Sequence, residues 1–102
     1  MTLRDITEEV MDIEEGLMYG TISFKYDKLM SAMKPGHPMI ILDNIIAQIF
    51  WGVRVGREPE LDKVKDVISD MKDFKKCFKV DELERVIKHL EEYVASVEEK
   101  AE

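Results

Sequence analysis

Cysteine is nearly missing. Cys77 is the only one in 102 residues, so no disulfide can close within the chain and a disulfide scaffold is excluded. Proline and glycine are scarce as well, at three and five. No Asn-Gly or Asp-Gly separates two alternating apolar runs, so nothing reads as a β-hairpin. Long hydrophobic runs are absent too. The longest apolar stretch, 39–55, is interrupted by Asp43, Asn44, Gln48 and Arg54, which makes it too short and too polar to span a membrane. The opening residues Met1-Thr-Leu-Arg-Asp-Ile-Thr-Glu-Glu lack the basic start and unbroken apolar core of a secretory signal. A reduced, cytoplasmic compartment is the expectation.

Charge is abundant. Fifteen Lys and Arg stand against 22 Asp and Glu, a formal net charge of −7, while 45% of residues are hydrophobic. That hydrophobic share excludes a disordered chain. The length fits one small domain, residues 1–102. The charge is unevenly placed: residues 1–15 hold one base and six acids, and residues 81–102 hold three bases and eight acids. The middle is mildly basic. An acidic chain without a dense basic stripe repels phosphate backbones, which argues against nucleic acid as a partner.

Apolar spacing gives the architecture. Leu3, Ile6, Val10, Ile13 and Leu17 recur at three and four residues and predict a first helix from Thr2 or Leu3 to about Glu15. Gly16 and Gly20 are expected to break it. A second helix is predicted over Ser23–Met33, ended by Lys34-Pro35-Gly36-His37-Pro38. The third helix covers Pro38–Val53, with Pro38 at its first position and Val53-Arg54-Val55 as an alternative extended end. The fourth starts at Pro59 and reaches about Asp73. Asp81-Glu82-Leu83-Glu84 reads as a capping box opening a fifth helix to about Glu98, whose Leu83, Ile87, Leu90, Val94, Val97 and Ala101 form a heptad-like seam. The fold class is therefore all-α, a single-domain bundle of four to five short helices.

The third helix is unusual. Met39, Ile41, Leu42, Ile45, Ile46, Ile49, Phe50 and Val53 fill one broad arc. The opposite arc holds Asp43, Asn44, Ala47, Gln48 and Arg54, but also Ile40, Trp51 and Val55. A tryptophan beside Asn and Gln is the composition of an interface rather than of a dry core. Ile40, Trp51 and Val55 are thus the candidate contact residues, with a two-fold pairing of the chain as the expected arrangement.

Carboxylates are the other candidate for chemistry. Asp5, Glu8, Glu9, Asp12 and Glu15 lie on the first helix and Asp62, Asp66, Asp70 and Asp73 on the fourth. Paired acidic helices can hold Mg²⁺, a hard cation that prefers oxygen ligands, against a phosphate substrate. Glu8-Glu9-Val10-Met11-Asp12 resembles half of the carboxylate motif of the all-α nucleoside triphosphate pyrophosphohydrolases. The resemblance implies a Mg²⁺-dependent hydrolase of nucleotides or phosphate esters, though no second Glu-x-x-Asp follows at short distance. The acids lie away from the apolar faces of their own helices, which favours a solvated face over a metal site.

The remaining candidates read plainly. His37 and His89 have no set of soft ligands around them, and both are expected to be structural. Cys77, between Phe74 and Phe78, is expected to be a small buried hydrophobe. In the Lys72–Lys79 stretch the Phe residues are expected to point inward and the Lys residues outward, against the negative end of a helix. Arg54 and Arg57 precede a helix start, whose N–H groups attract anions, and form a candidate anion site of low specificity. No nucleophile elbow, zinc-protease motif or phosphate loop is present. The sequence therefore predicts an interaction module without cofactor or metal, self-associating as a homodimer or small homo-oligomer or binding another protein. The Mg²⁺-dependent hydrolase is the alternative.

Overall fold

A hydroxyl starts the first helix. In α1 (Leu3–Tyr19), the Asp5 N–H donates to Thr2 Oγ1 at 3.1 Å and the Thr2 N–H donates back to Asp5 Oδ2 at 3.2 Å. This reciprocal capping box satisfies two of the N–H groups that a helix start leaves free. The computed structural model describes residues 2–26 and 36–101. It continues with α2 (Pro38–Arg54), α3 (Leu61–Phe78) and α4 (Leu83–Ala101). All regular structure among the described residues is helical.

Gly16 does not end α1. It lies inside the helix, and Ile22 folds back onto it so closely that a Cβ would sit 2.6 Å from the Ile22 side chain. The break comes at Gly20, in the left-handed region at φ 82°, where a side chain would be strained. The Ile22 N–H then returns to the Gly16 carbonyl at 3.0 Å.

The predicted helix over Ser23–Met33 is overturned for its first turn. Residues 23–26 are not helical. Instead the Lys25 N–H donates to the Phe78 carbonyl at 2.8 Å and the Tyr26 ring lies 5.3 Å from the Phe78 ring. This segment is held by the C-terminal end of α3, where carbonyls lack helical partners. Residues 27–33 of that prediction lie outside the described residues.

Two boundaries also move. α3 begins at Leu61 rather than at Pro59 and runs past Asp73 to Phe78. Phe74, Cys77 and Phe78 are all buried, so burial extends the helix by a turn. It stops at Lys79, a non-glycine residue with φ 56°. α4 starts at Leu83, and the Glu84 N–H bonds the Asp81 backbone carbonyl at 3.0 Å. Among the described residues no N–H reaches the Asp81 side chain, so the predicted capping box there is replaced by a backbone turn. α2 keeps helical geometry through Arg54, which removes the extended alternative for Val53–Val55.

Each helix packs against two neighbours, α1 on α2 and α4, α3 on α2 and α4. Contacts across each seam run in opposite chain directions. Along α3 and α4, Lys65 pairs with Glu98 at 2.8 Å, Lys72 with Glu91 at 3.6 Å and Lys75 with Glu84 at 3.7 Å. The result is an up-down-up-down arrangement around one core, built on Ile6, Val10, Leu42, Ile46, Met71, Phe74, Leu83 and Leu90. Among the described residues no helix is long and apolar enough to cross a membrane.

Candidate functional site

α2 has two faces of different fate. Leu42, Ile45, Ile46, Ile49 and Val53 recur at helical spacing and are buried in the core. Ile40, Asn44, Ala47, Trp51 and Val55 form a second stripe on the opposite side, all exposed. Ile40 keeps 55% of its surface open, Trp51 73% and Val55 66%. Such exposure of three large apolar side chains on one helix is what marks contact surfaces. The sequence-predicted contact residues therefore share one face, and each keeps more than half of its surface open.

The flanks of the stripe are fixed from within the chain. On the α3 side, Gln48 Nε2 donates to Asp70 Oδ2 at 3.0 Å and to the Ile45 carbonyl at 3.1 Å. On the α1 side, Phe50 meets Trp51 edge to face with centroids 5.5 Å apart. The Arg54 guanidinium lies 5.3 Å from the Phe50 ring centre and 3.6 Å from Glu8 of α1. The tryptophan is thus braced on one side and open on the other. Met11 and Met18 of α1, both exposed, line a shallow groove with Met39 of α2 and the acids Asp12, Glu14 and Glu15.

Two acids of α1, Glu9 and Glu14, each bury a carboxyl oxygen that has no donor among the described residues. Glu14 of α1 meets Asp43 of α2, and burial, followed by the nearby Asp43 charge and a hydrogen bond between the carboxyls, pushes its pKa up to about 7. Glu14 Oε1 is buried without a donor, and among the described residues no Lys or Arg pairs with either acid. Two acceptors satisfy one another only when they share a proton. Sequence reasoning passed over Glu14. Its position four after Val10 and three before Leu17, both core residues, is the signal that could have found it.

The other acids disperse. Glu8 faces Arg54, Glu9 meets Arg85 of α4 at 3.4 Å, and Asp12 is exposed. Asp62, Asp66 and Asp73 are exposed on α3. Among the described residues no group of three or more His, Cys, Asp and Glu is placed to hold a metal ion. His37 caps α2, its Nδ1 accepting the Met39 N–H at 3.1 Å. His89 sits between Arg85 and Glu92 on α4. Cys77 is buried in the core.

Arg54 and Arg57 are not brought to a shared hollow. Arg54 is engaged with Glu8 and Phe50, whereas Arg57 lines a groove with Thr2, Tyr93 and Lys100. The start of α3 carries Glu58, Glu60 and Asp62, acids that oppose an anion there. The Lys72–Lys79 stretch has both Phe side chains in the core. Its lysines line a cleft with Asp81, Glu84 and Glu91 of the facing segment, so the charges there are mixed. Comparison with protein-family models, curated proteins and solved structures found no match.

Proposed function

We propose that the protein is an interaction module that self-associates through the outer face of α2, with a second copy of the same chain as the occupant. One observation carries the reading: Trp51, with Ile40 and Val55, stands largely exposed on a helix whose other face already fills the core. Burial of an apolar surface against its own copy removes it from water twice per assembly. Tryptophan is also the side chain most enriched at sites that dominate binding energy. The braced ring supports this role, because a side chain already held in place loses less freedom on binding.

Sedimentation or native mass measurement at tens of micromolar tests the proposal. The wild-type chain is expected at twice the monomer mass. Trp51→Ala is expected at the monomer mass, or with dissociation weakened by ~2 kcal/mol or more. A monomeric wild type at that concentration rejects the reading.

A further inference from the structure

Two copies of one helix can pair in the same direction or in opposite directions, and the two arrangements bring different residues together. The outer stripe of α2 reads alike from both ends. Ile40 and Val55 lie equally far from the midpoint between Ala47 and Gln48, and so do Asn44 and Trp51. The α1-side flank carries opposite charges on either side of that midpoint, Asp43 towards one end and Arg54 towards the other. A two-fold axis across the helices lays this flank against its own reversed copy.

Building on the self-association reading, we propose that α2 packs antiparallel on α2 of the second copy around a two-fold axis at Ala47–Gln48, with Arg54 of each copy reaching the Glu14–Asp43 carboxyls of the other. In this register Ile40 meets Val55. Trp51 lies over Asn44 and Ala47 of the opposite helix. Ala47, the smallest side chain of the stripe, sits where the two backbones come closest, and interaxial distance is set by the side chains at that point. The Asn44 amide oxygen can then accept the indole N–H, which otherwise loses its water on burial. That gives a polar residue in the middle of an apolar stripe a reason to be there.

Charge separates the two directions. Antiparallel pairing sets Arg54 against two carboxyls that have no cation of their own chain among the described residues. The guanidinium has donors to spare, since among the described residues it pairs with Glu8 alone, at 3.6 Å, and it carries five N–H groups. Parallel pairing instead lays the α1-side flank against the α3-side flank of the second copy, whose α2 residues Ile41 and Gln48 carry no charge, so the carboxyls and Arg54 gain no opposite charge from that helix.

Cysteine cross-linking tests the direction. Cys77 is buried, so mild oxidation reports on introduced thiols. Ile40→Cys mixed with Val55→Cys is expected to give a disulfide-linked dimer, with each variant alone giving at least tenfold less. Self-linking of the single variants at a rate equal to or above the mixture overturns the antiparallel register, and so does a dimeric wild type in which none of these thiols link. A wild-type chain that sediments as a monomer instead overturns the self-association reading itself. As a second measure, Asp43→Lys places a cation against the partner's Arg54. It is expected to raise the dissociation constant at least tenfold at low salt, and an unchanged constant rejects the contact.

Discussion

α2 and α4 are both amphipathic helices of similar length, 17 and 19 residues, each with one side in the same core. Their outer faces differ. The exposed positions of α4 include Glu84, Arg85, Lys88, Glu91, Glu92, Glu98, Glu99 and Lys100. Water already solvates that face, and its ion pairs to α3 are exposed ones of small worth. The exposed positions of α2 hold one formal charge, Asp43, among Ile40, Asn44, Ala47, Gln48 and Trp51. The same core requirement thus leaves one helix finished and the other with a surface that gains from being covered. An amphipathic pattern alone cannot tell the two apart; only the outer arc does.

The widest separation comes from two substitutions on α2 itself. Leu42→Ala removes a fully buried side chain and is expected to lower unfolding stability by ~2–5 kcal/mol, from lost burial and the cavity left behind. Ile40→Ala, two residues away, is expected to change unfolding stability by no more than ~0.5 kcal/mol in a dilute monomer while weakening self-association. Equal unfolding costs at the two sites would abolish the distinction between the faces.

A smaller effect belongs to Glu14. Its folded pKa is raised to about 7 from the ordinary 4.5, so the folded state holds a proton that the unfolded chain releases. The associated stability is fully present below pH 4.5 and is lost as pH rises through 7. In a Trp51→Ala background, where no second copy covers the flank, the chain is expected to lose ~1–2 kcal/mol between pH 5 and pH 8.5, less than full linkage because the carboxyl is half open to water. Glu14→Gln should remove most of that loss. Equal losses in denaturant titrations of the two proteins would place the proton elsewhere.

Helix starts give the smallest contrast. Thr2→Ala removes the hydroxyl that accepts the Asp5 N–H and is expected to cost ~1 kcal/mol. Asp81→Ala removes no side-chain cap and should leave the denaturant midpoint within ~0.5 kcal/mol of the parent. A reversed order would restore Asp81 as the cap.

The helical class, the core sides of α1, α2 and α3 and the apolar outer stripe of α2 were legible in spacing, because 3.6-residue periodicity depends on sequence alone. The heptad-like seam of α4, by contrast, leaves out Val86, which is fully buried, and includes Val94 and Val97, which are only partly so. What escaped depended on tertiary contact. Gly16 is a helix breaker by propensity, yet Ile22 needs the space its missing side chain leaves, and packing outweighs a cost of ~1 kcal/mol. The last turn of α3 lies beyond the predicted end at Asp73 because burial of Phe74, Cys77 and Phe78 carries the helix on. Asp81 and Thr2 carry the same capping signature, and only the backbone path tells which is used. Ser23–Tyr26 has helical spacing but is claimed by the end of α3. Glu14 looked like one acid among many until Asp43 arrived from another helix.

The lengths of the connections set an order of assembly. α3 and α4 are separated by only four residues, 79–82, and α2 and α3 by six, 55–60, whereas α1 is separated from α2, the nearer of its two partners in sequence, by 18 residues, 20–37. Closing a loop costs more entropy as it lengthens, so the α2–α3–α4 unit is the natural nucleus and α1 docks onto it last. Rate measurements should then show Val86→Ala slowing folding, and Val10→Ala, at an equally buried position of α1, acting mainly by speeding unfolding. The helix that holds Glu14 against Asp43 is then the first to leave, and its departure uncovers one flank of α2 while the rest of the bundle stands.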